Sequence, residues 1–424
     1  MSASPSPKRI IHVPRRFVAA EWGGTETVIL EISRQQRRAG WQPEIYTSMA
    51  LATQRDETVG GIPVKRFPYC YPFFGLSAAD KAALDKKGGN LLSLSLFNAL
   101  RGAKGVRLFH AHALKRLGGE VRTAARWQKK PLVVSLHGGV FDVPAAELGA
   151  MLKPIESKTE WGKPFGALFG SRRVLEDADF VICVGQSELD MARKQLGHDR
   201  LAYLPNGVDC AKFESGDGPA FRARHGIPPG AFLALNISRI DAQKNQLLLL
   251  EAFLRFSASR PDSRLVLVGP ETQPSYAARL REFVAANSLG ARVMLLPGMK
   301  NDDPELVRAF HACDVFVLPS MHEPFGIVVL EAWSAGRPVI ASRVGGLQAL
   351  VKDGETGLFV DPTAATAAGD LATLLRQVAE NPALAAKLGA AGRAEARSNY
   401  DWEKVGRRLE ELYQRAEENC ARRS

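Results

Sequence analysis

Two glutamates, Glu323 and Glu331, lie eight residues apart on either side of a glycine in the stretch EPFGIVVLE. The apolar run VFVLPS before them reads as a strand, and the residues after Gly326 have helical spacing, so the glycine opens a helix. The free amide groups and the dipole at such a helix start bind phosphate. Because like charges repel, two carboxylates beside an anion must accept hydrogen bonds from hydroxyl groups that flank it. A sugar, a diphosphate and a ribose, joined in that order, have this layout.

The spacing predicts a separate role for each glutamate. Glu331 lies five residues beyond Gly326, roughly 7.5 Å along a helix that rises about 1.5 Å per residue. That distance suits a ribose beyond the phosphates and leaves Glu323 for the sugar. Each glutamate taken alone has a structural alternative. Glu323 would cap the helix, and Glu331 would be a solvated helix residue.

Two cations lie in a similar strand-to-helix junction earlier in the chain. Arg239 follows the apolar run FLALNIS, and Lys244 precedes the helical pattern QLLLLEAF. An arginine just past a strand and a lysine opening a helix are well placed to neutralise a departing diphosphate. The alternative is that both are exposed surface cations.

These residues resemble a known family. EPFGIVVLE is similar to the E-x7-E motif of the family 4 retaining glycosyltransferases, which have the GT-B fold. NISRIDAQKNQLLLLEAF, residues 236–253, resembles that family's strand, loop and helix whose arginine and lysine bind the donor diphosphate. Ser238 and Asn245 stand where glycines are frequent in the family. The resemblance covers nearly the whole chain and is most specific in residues 231–362.

The resemblance implies a set of site residues. A histidine at the end of the run VVSLH contacts the donor sugar, the glycine pair in EWGGTE approaches the phosphates, and the backbone of PGMK contacts the nucleobase. The implied catalytic residues are Glu323, His137, Arg239 and Lys244. The implied donor-binding residues are Gly23, Gly24, Gly298, Met299, Lys300, Pro324, Phe325, Gly326, Ile327, Val328 and Glu331.

A second histidine motif, FHAHA, admits a metal interpretation. His110 and His112 lie two residues apart and therefore on one face of a strand. No third ligand is obvious from the sequence. The resemblance implies no cofactor and no essential metal ion.

The elements that position these residues form a repeating pattern. Short apolar runs alternate with longer helical patterns, which predicts an α/β protein with parallel sheets. After a link near residues 207–230 the alternation restarts, which predicts two Rossmann-like halves. We expect an acceptor domain at 1–205, a nucleotide-sugar donor domain at 206–395, and a C-terminal helix at 396–424 that packs back on the N-terminal domain. A GT-B fold implies that the two domains face each other across a cleft.

Composition and charge indicate which partners and which cellular compartment to expect. The chain has 424 residues and a net charge of +11, and residues 1–205 contain 30 basic and 19 acidic residues. The basic half indicates an anionic partner, or a basic surface without one. Five scattered cysteines, with no apolar leader and no run of about 18 to 20 apolar residues, predict a cytoplasmic protein. No nucleic acid partner is expected.

Two stretches of the N-terminal half are candidates for the acceptor. FPYCYPFFG is a proline-rich aromatic loop, and NLLSLSLFNALRGAK places leucines on one helical face beside basic residues. One interpretation is docking on a polyprenyl-diphosphate acceptor or on anionic lipid at the inner face of the membrane. The other is a packed loop and an ordinary core-facing helix.

The sequence therefore predicts a retaining, metal-independent glycosyltransferase. The donor would be a nucleotide-diphosphate sugar, and the acceptor a hydroxyl of a saccharide or lipid-linked intermediate in cell-surface polysaccharide biosynthesis. The alternatives are a nucleotide-sugar 2-epimerase or a phosphorylase on the same fold, and a non-catalytic nucleotide-sugar-binding protein. A nicotinamide enzyme lacks its GxGxxG fingerprint here.

Overall fold

The computed structural model describes residues 8–19, 22–86, 88–138, 149 and 152–423. The chain forms two compact units. The first contains the residues up to Pro205 together with those from Glu403 onward, and the second contains Asn206–Trp402. Each unit has its own sheet, so the predicted α/β class is confirmed.

The first unit contains an eight-stranded sheet in the order β3-β4-β2-β1-β5-β6-β7-β8. Neighbouring strands are parallel except for β3 and β4. The strands are β1 Lys8–Val13, β2 Trp41–Ser48, β3 Asp56–Val59, β4 Ile62–Phe67, β5 Val106–Ala111, β6 Leu132–Leu136, β7 Phe180–Cys183 and β8 Leu201–Tyr203.

Helices cover the strands of this sheet. The strands β6 and β7 are buried along their whole length, as expected for parallel strands with helices on both faces. The helices before Pro205 are α1 Gly24–Arg38, α2 Ala78–Lys86, α3 Leu94–Gly102, α4 Lys115–Gln128, α5 Lys163–Leu168 and α6 Gln186–Leu196. A 3-10 turn spans Lys153–Ile155.

The edge strand β3 was not predicted from the sequence. It pairs antiparallel with β4 through a tight turn at Gly60 and Gly61, whose φ angles are +55° and +82°. A glycine pair supplies the two positive φ angles that a two-residue hairpin turn requires. The sequence signal was therefore present, but the flanking strands are short and β3 is polar.

The second unit contains a six-stranded sheet in the order β11-β10-β9-β12-β13-β14, with every neighbouring pair parallel. In chain order this is 3-2-1-4-5-6, the order of a Rossmann sheet. The strands are β9 Leu233–Ile237, β10 Arg264–Val268, β11 Val293–Leu296, β12 Val315–Leu318, β13 Val339–Ser342 and β14 Leu358–Val360.

Two apolar cores lie on the two faces of this second sheet. Leu233 and Leu235 of β9 belong to one core and Ala234 to the other, because successive side chains of a strand point to opposite faces. The helices are α7 Gly218–Arg224, α8 Gln246–Ser259, α9 Pro274–Ala286, α10 Pro304–Ala312, α11 Ile327–Ser334, α12 Leu347–Leu350, α13 Ala367–Glu380 and α14 Pro382–Glu395, followed by a π-helix at Ala396–Tyr400.

The last helix, α15 (Trp402–Arg423), returns the chain to the first unit. Its Tyr413 is fully buried there. Trp41 Nε1 donates to Glu410 Oε1 at 2.7 Å, Asn419 Nδ2 donates to the Asp179 carbonyl at 2.9 Å, and Arg107 pairs with Glu417. None of the helices in the described residues combines the length and the sustained apolar stretch that a membrane-spanning segment needs.

Candidate active site

The second sheet reverses its strand order between β9 and β12. These strands are neighbours, and the chain proceeds from them toward opposite edges of the sheet. Ligands of open α/β sheets bind at the carboxyl ends of the strands beside such a reversal. The loop after β9 carries Arg239 and Lys244, and the loop after β12 carries Glu323.

Lys244 and Glu323 form an ion pair at this reversal. Lys244 Nζ lies 2.5 Å from Glu323 Oε2, and the two side chains retain only 13% and 11% of their exposure. The backbone amide of Lys244 donates to Asp241 Oδ1 at 3.1 Å, which fixes the backbone from which the lysine side chain extends. A charged hydrogen bond that is this short and this sheltered from water holds both groups in place.

Arg239 lies beside this pair and is more exposed. Its guanidinium is 3.1 Å from Asp241 Oδ2 and 3.0 Å from Gln243 Oε1. Asn245, a departure from the family's usual glycine, adopts φ +54° at the N-cap of α8. Asparagine tolerates this left-handed conformation better than most residues, so the loop keeps its course without the glycine.

Hydrogen bonds join the two site loops. The Met321 amide donates to the Gln243 carbonyl at 2.8 Å, and Gln243 Nε2 donates to the His322 carbonyl at 3.3 Å. The cation loop and the Glu323 loop therefore form one connected surface within this unit. Asp241 and Gln243, which organise it, were not identified from the sequence because polar loop residues carry no periodic signal.

The loop after β13 packs against the glutamate loop, the loop after β12 that carries Glu323. The Gly346 amide donates to the Glu323 carbonyl at 2.8 Å. A Cβ atom at Gly345 would lie 2.4 Å from that carbonyl oxygen, and one at Gly346 would lie 2.1 Å from the Pro324 carbonyl oxygen. Both glycines are required because backbone meets backbone here. This assigns a role to the glycine pair of the stretch SRVGG.

Helix α11 begins as the sequence predicted. Gly326 is its N-cap with φ +94°, a conformation that other residues rarely adopt. The first amide groups of the helix, at Ile327 and Val328, lack acceptors within the helix by its geometry. Phe325 is buried in the core and fixes the turn. The helix start thus offers amide donors shortly after Glu323, the residue that pairs with Lys244.

Glu331 lies inside α11 and is partly buried. Among the described residues, none donates a hydrogen bond to its carboxylate. Burial raises the pKa of Glu331 to about 7, while nearby Lys212 opposes this rise. A carboxylate oxygen that receives no hydrogen bond is suited to accept one from a hydroxyl group. The side chain is therefore partly sheltered from water on its helix.

The predicted nucleobase loop follows β11. A Cβ at Gly298 would lie 2.7 Å from Pro270 Cδ, so the backbone there passes close to its neighbour. Met299 packs against the core, and the Lys300 carbonyl accepts from the Asp303 amide at 3.0 Å. Lys212 Nζ bonds Asn301 Oδ1 at 3.1 Å.

The first sheet reverses its order between β1 and β5. Gly23 and Gly24 begin α1 after β1, as predicted. Gly23 N–H donates to Glu26 Oε2 at 3.1 Å in a capping box. That amide therefore already has a carboxylate acceptor.

His137 directly follows β6 and bonds to a second histidine. Its Nε2 lies 2.9 Å from His112 Nδ1, and His112 Nε2 lies 3.0 Å from His12 Nδ1. His12, His110 and His112 offer ring nitrogens within 4.8 Å of one another, an arrangement that could hold a metal ion. The third histidine was missed because it lies on β1, where it stands opposite His110 in the sheet register.

The two candidate acceptor stretches are partly ordinary core. Tyr69 and Tyr71 donate to Asp85 Oδ1 at 2.6 and 2.9 Å, which packs the aromatic loop. Leu96 and Leu100 of α3 are fully buried. The docking interpretation of this leucine face is wrong, because the face belongs to the core of the first unit.

Comparison with known proteins identifies the family. Two family profiles match: Glycosyltransferase Family 4 over residues 22–212 and Glycosyl transferases group 1 over residues 217–395. The D-inositol 3-phosphate glycosyltransferase of Rhodococcus jostii is 30% identical over 408 residues, covering 94% of this chain and 85% of the relative. That of Kineococcus radiotolerans is 31% identical over 429 residues, covering 94% and 92%.

Solved structures agree on the fold. Sucrose-phosphate synthase from Thermosynechococcus elongatus is 24% identical with a TM-score of 0.72, covering 96% of this chain and 98% of that one. Anabaena HepE in complex with UDP and glucose is 19% identical with a TM-score of 0.70, covering 96% and 99%. The GT-B fold predicted from the sequence is thereby confirmed. The relatives that are 30% and 31% identical match 94% of this chain, and the chain belongs to glycosyltransferase family 4.

Proposed function

We propose that this glycosyltransferase moves a sugar from a nucleoside-diphosphate sugar to a hydroxyl acceptor, with retention of configuration and without an essential metal ion. The observation that carries the proposal is the Lys244–Glu323 ion pair beside the start of α11. The pair places the Lys244 ammonium, which can bind a phosphate oxygen, next to the Glu323 carboxylate, which can accept a hydrogen bond from a sugar hydroxyl. Solved HepE structures with UDP and UDP-glucose support a nucleotide-sugar donor.

The protein must stabilise the negative charge of the departing nucleoside diphosphate. Arg239, Lys244 and the first amides of α11 stabilise the charge that develops on the diphosphate. Glu323 and His137 orient the sugar, and Glu331 accepts the ribose hydroxyls. The acceptor oxygen bonds to the anomeric carbon as the bond from that carbon to the diphosphate oxygen breaks. The diphosphate takes the acceptor's proton, so no protein nucleophile is needed.

We also propose that the acceptor carries phosphate. Arg15 follows β1 and Lys115 opens α4 after β5, at the order reversal of the first sheet. Burial and the nearby Arg15 lower the pKa of Lys115, and its φ of +58° is unusual for a lysine. Within the described residues no carboxylate forms an ion pair with Lys115. The relatives' names specify an inositol phosphate, and a polyprenyl diphosphate offers the same charge.

Peripheral contact with an anionic membrane is part of the proposal. Phe74 and Leu168 are 64% and 71% exposed, and the Trp161 ring centroid lies 6.3 Å from that of Phe74. The exposed Lys163 adds positive charge at this patch. Exposed aromatic and apolar groups beside cations are typical of interfacial anchors.

Vesicle sedimentation tests that contact. Wild-type protein should sediment with vesicles containing phosphatidylglycerol and not with phosphatidylcholine alone. Phe74→Asp with Leu168→Asp should abolish sedimentation, whereas Leu94→Asp, an exposed residue of α3, should not. Equal sedimentation of all variants would reject the patch.

A thermal-shift screen over UDP-, GDP- and ADP-sugars tests the donor, because a ligand that binds only the folded state raises Tm. One donor should raise Tm for the wild type. Lys244→Ala and Glu323→Gln should lose transfer while remaining folded. The exposed residues Lys387 and Glu282 supply controls as Lys387→Ala and Glu282→Gln, which should retain it.

Product analysis tests the reaction and the acceptor. Conversion of the donor without acceptor would indicate an epimerase, and dependence on free phosphate a phosphorylase. Lys115→Ala should raise KM for a phosphorylated acceptor about tenfold, the effect of losing one charged contact, and leave donor KM unchanged. Inositol phosphate and polyprenyl-diphosphate sugars, assayed in parallel, separate the two sources of phosphate.

A further inference from the structure

Four histidines of the first unit are held neutral. Burial lowers the pKa of His12 and of His137 to about 4 and lowers the pKa of His110 and His112 below the ordinary value. A neutral imidazole has one N–H donor and one lone pair. A histidine bonded through both nitrogens must therefore donate at one and accept at the other, so a chain of such residues has a direction.

The histidines belong to one continuous hydrogen-bonded chain that extends beyond them. From His12 Nε2 the chain passes to Gln36 Oε1 at 2.8 Å, and Gln36 Nε2 donates to Tyr413 Oη at 2.8 Å. Tyr413 Oη lies 2.8 Å from His110 Nδ1, and His110 Nε2 lies 2.7 Å from Ser135 Oγ. In the other direction His12 leads to His112 and then to His137.

Gln36 gives this chain its direction. Its carbonyl oxygen can only accept, so His12 must carry its proton on Nε2 and present a lone pair at Nδ1. His112 then donates from Nε2 and accepts at Nδ1. His137 in turn donates from Nε2, which leaves a lone pair at His137 Nδ1.

We propose that Gln36 is a positioning residue that fixes the tautomer of His137, so that Nδ1 accepts a hydrogen bond from a hydroxyl of the donor sugar. This inference rests on the proposed function, in which His137 orients that sugar. Gln36 lies on α1 and is buried, so it acts through His12 and His112 and touches no substrate. The same bonds use the ring nitrogens that a metal ion at His12 and His112 would require.

Nitrogen NMR of 15N-histidine-labelled protein tests the direction at neutral pH, with the His137 signal assigned by its absence in His137→Gln. His137 Nδ1 should appear unprotonated and Nε2 protonated. If the wild type instead carries the proton on His137 Nδ1, the proposal is wrong, and no variant has to be measured to show this. Zinc binding that shifts the His12 and His112 signals also overturns it, because metal and chain cannot share these nitrogens.

Gln36→Met removes the carbonyl acceptor at similar length. His137 should then show a mixture of tautomers, and kcat/KM for the donor should fall about tenfold. Ser33→Ala is the matched control, since Ser33 is also buried on α1 but donates only to the Ile29 carbonyl. It should leave both readouts unchanged. If Gln36→Met keeps the single tautomer, the proposal is wrong.

The two readouts separate this inference from the proposed function. If Glu323→Gln and Lys244→Ala remain active, the donor site is misassigned, although the NMR direction can still hold. If those variants are inactive but the His137 tautomer ignores Gln36, the donor site stands and the role of Gln36 fails.

Discussion

Among single residues, Glu331 carries an electrostatic cost that a conservative substitution can measure. A carboxylate that is partly buried without a hydrogen-bond donor among the described residues is destabilising once ionised. Its folded-state pKa of about 7 lies above the ordinary value of 4.5. The folded chain therefore binds this proton more tightly, and the associated stability is present below pH 4.5 and lost as the pH rises through 7.

Glu331→Gln should remove this cost. At pH 8 the free energy of unfolding should rise by up to about 3 kcal/mol, since one pKa unit corresponds to about 1.4 kcal/mol, and at pH 4 it should be unchanged. Urea denaturation at both pH values measures this. Donor affinity should fall, because the amide is a weaker acceptor for ribose hydroxyls. Glu355→Gln, on an exposed residue, should change neither quantity.

Sequence reasoning identified the residues that lie in recognisable motifs. It did not identify the residues that hydrogen-bond to them and hold them in place. Lys244 and Glu323 were predicted to share a site, and the structure places them in contact. His12, Gln36 and Tyr413 could not be foreseen as one group. Their contact depends on strand register and on a helix hundreds of residues away, which no local spacing encodes.

Among the elements, the loop after β13 decides the geometry of the glutamate loop. Gly345 has φ +47° and faces the Glu323 carbonyl, while Gly354 has φ +73° and open space around it. The two glycines therefore differ in contact but share a left-handed backbone.

Gly345→Ala should destabilise the protein by about 3 kcal/mol or more, because backbone must move, and should weaken donor binding. Gly354→Ala should cost only about 1 kcal/mol, the strain of a left-handed alanine. Thermal unfolding and donor titration measure both. Equal losses for the two variants would contradict a role for the backbone contact.

The element pattern was the most predictable part of the fold. Alternating apolar runs and helical patterns gave the parallel strands and most of the helices, because burial on both faces demands near-continuous apolar strands. The polar β3 was missed, and the leucine face of α3 was compatible with either core or membrane until its burial was seen. Apolar periodicity shows which side of a helix is buried, but not what covers it.

At the scale of the whole molecule, the first unit is discontinuous in sequence. Helix α15 supplies Tyr413 to the buried hydrogen-bonded chain and Glu410 to Trp41. Local pattern alone indicated only an amphipathic helix.

A chain ending at Trp402 should lose stability in the first unit and keep the second unit folded. Removal of α15 exposes apolar surface and leaves His110 without its tyrosine partner. Calorimetry should show one transition lowered by about ten degrees or more, the effect of about 3 to 5 kcal/mol in a domain of this size. A chain ending at Arg423 retains Tyr413, Glu417 and the ion pair of Arg423 with Asp179, and should unfold as the full chain does.

The placement of α15 has a consequence for synthesis on the ribosome. The 197 residues of Asn206–Trp402 must be translated before the first unit receives its final helix, which takes about 10 to 40 s at about 5 to 20 residues per second. During that interval the nascent chain presents an unfinished apolar surface. The usual order, in which the earlier domain matures first, is therefore reversed, and chaperone demand should peak late in translation.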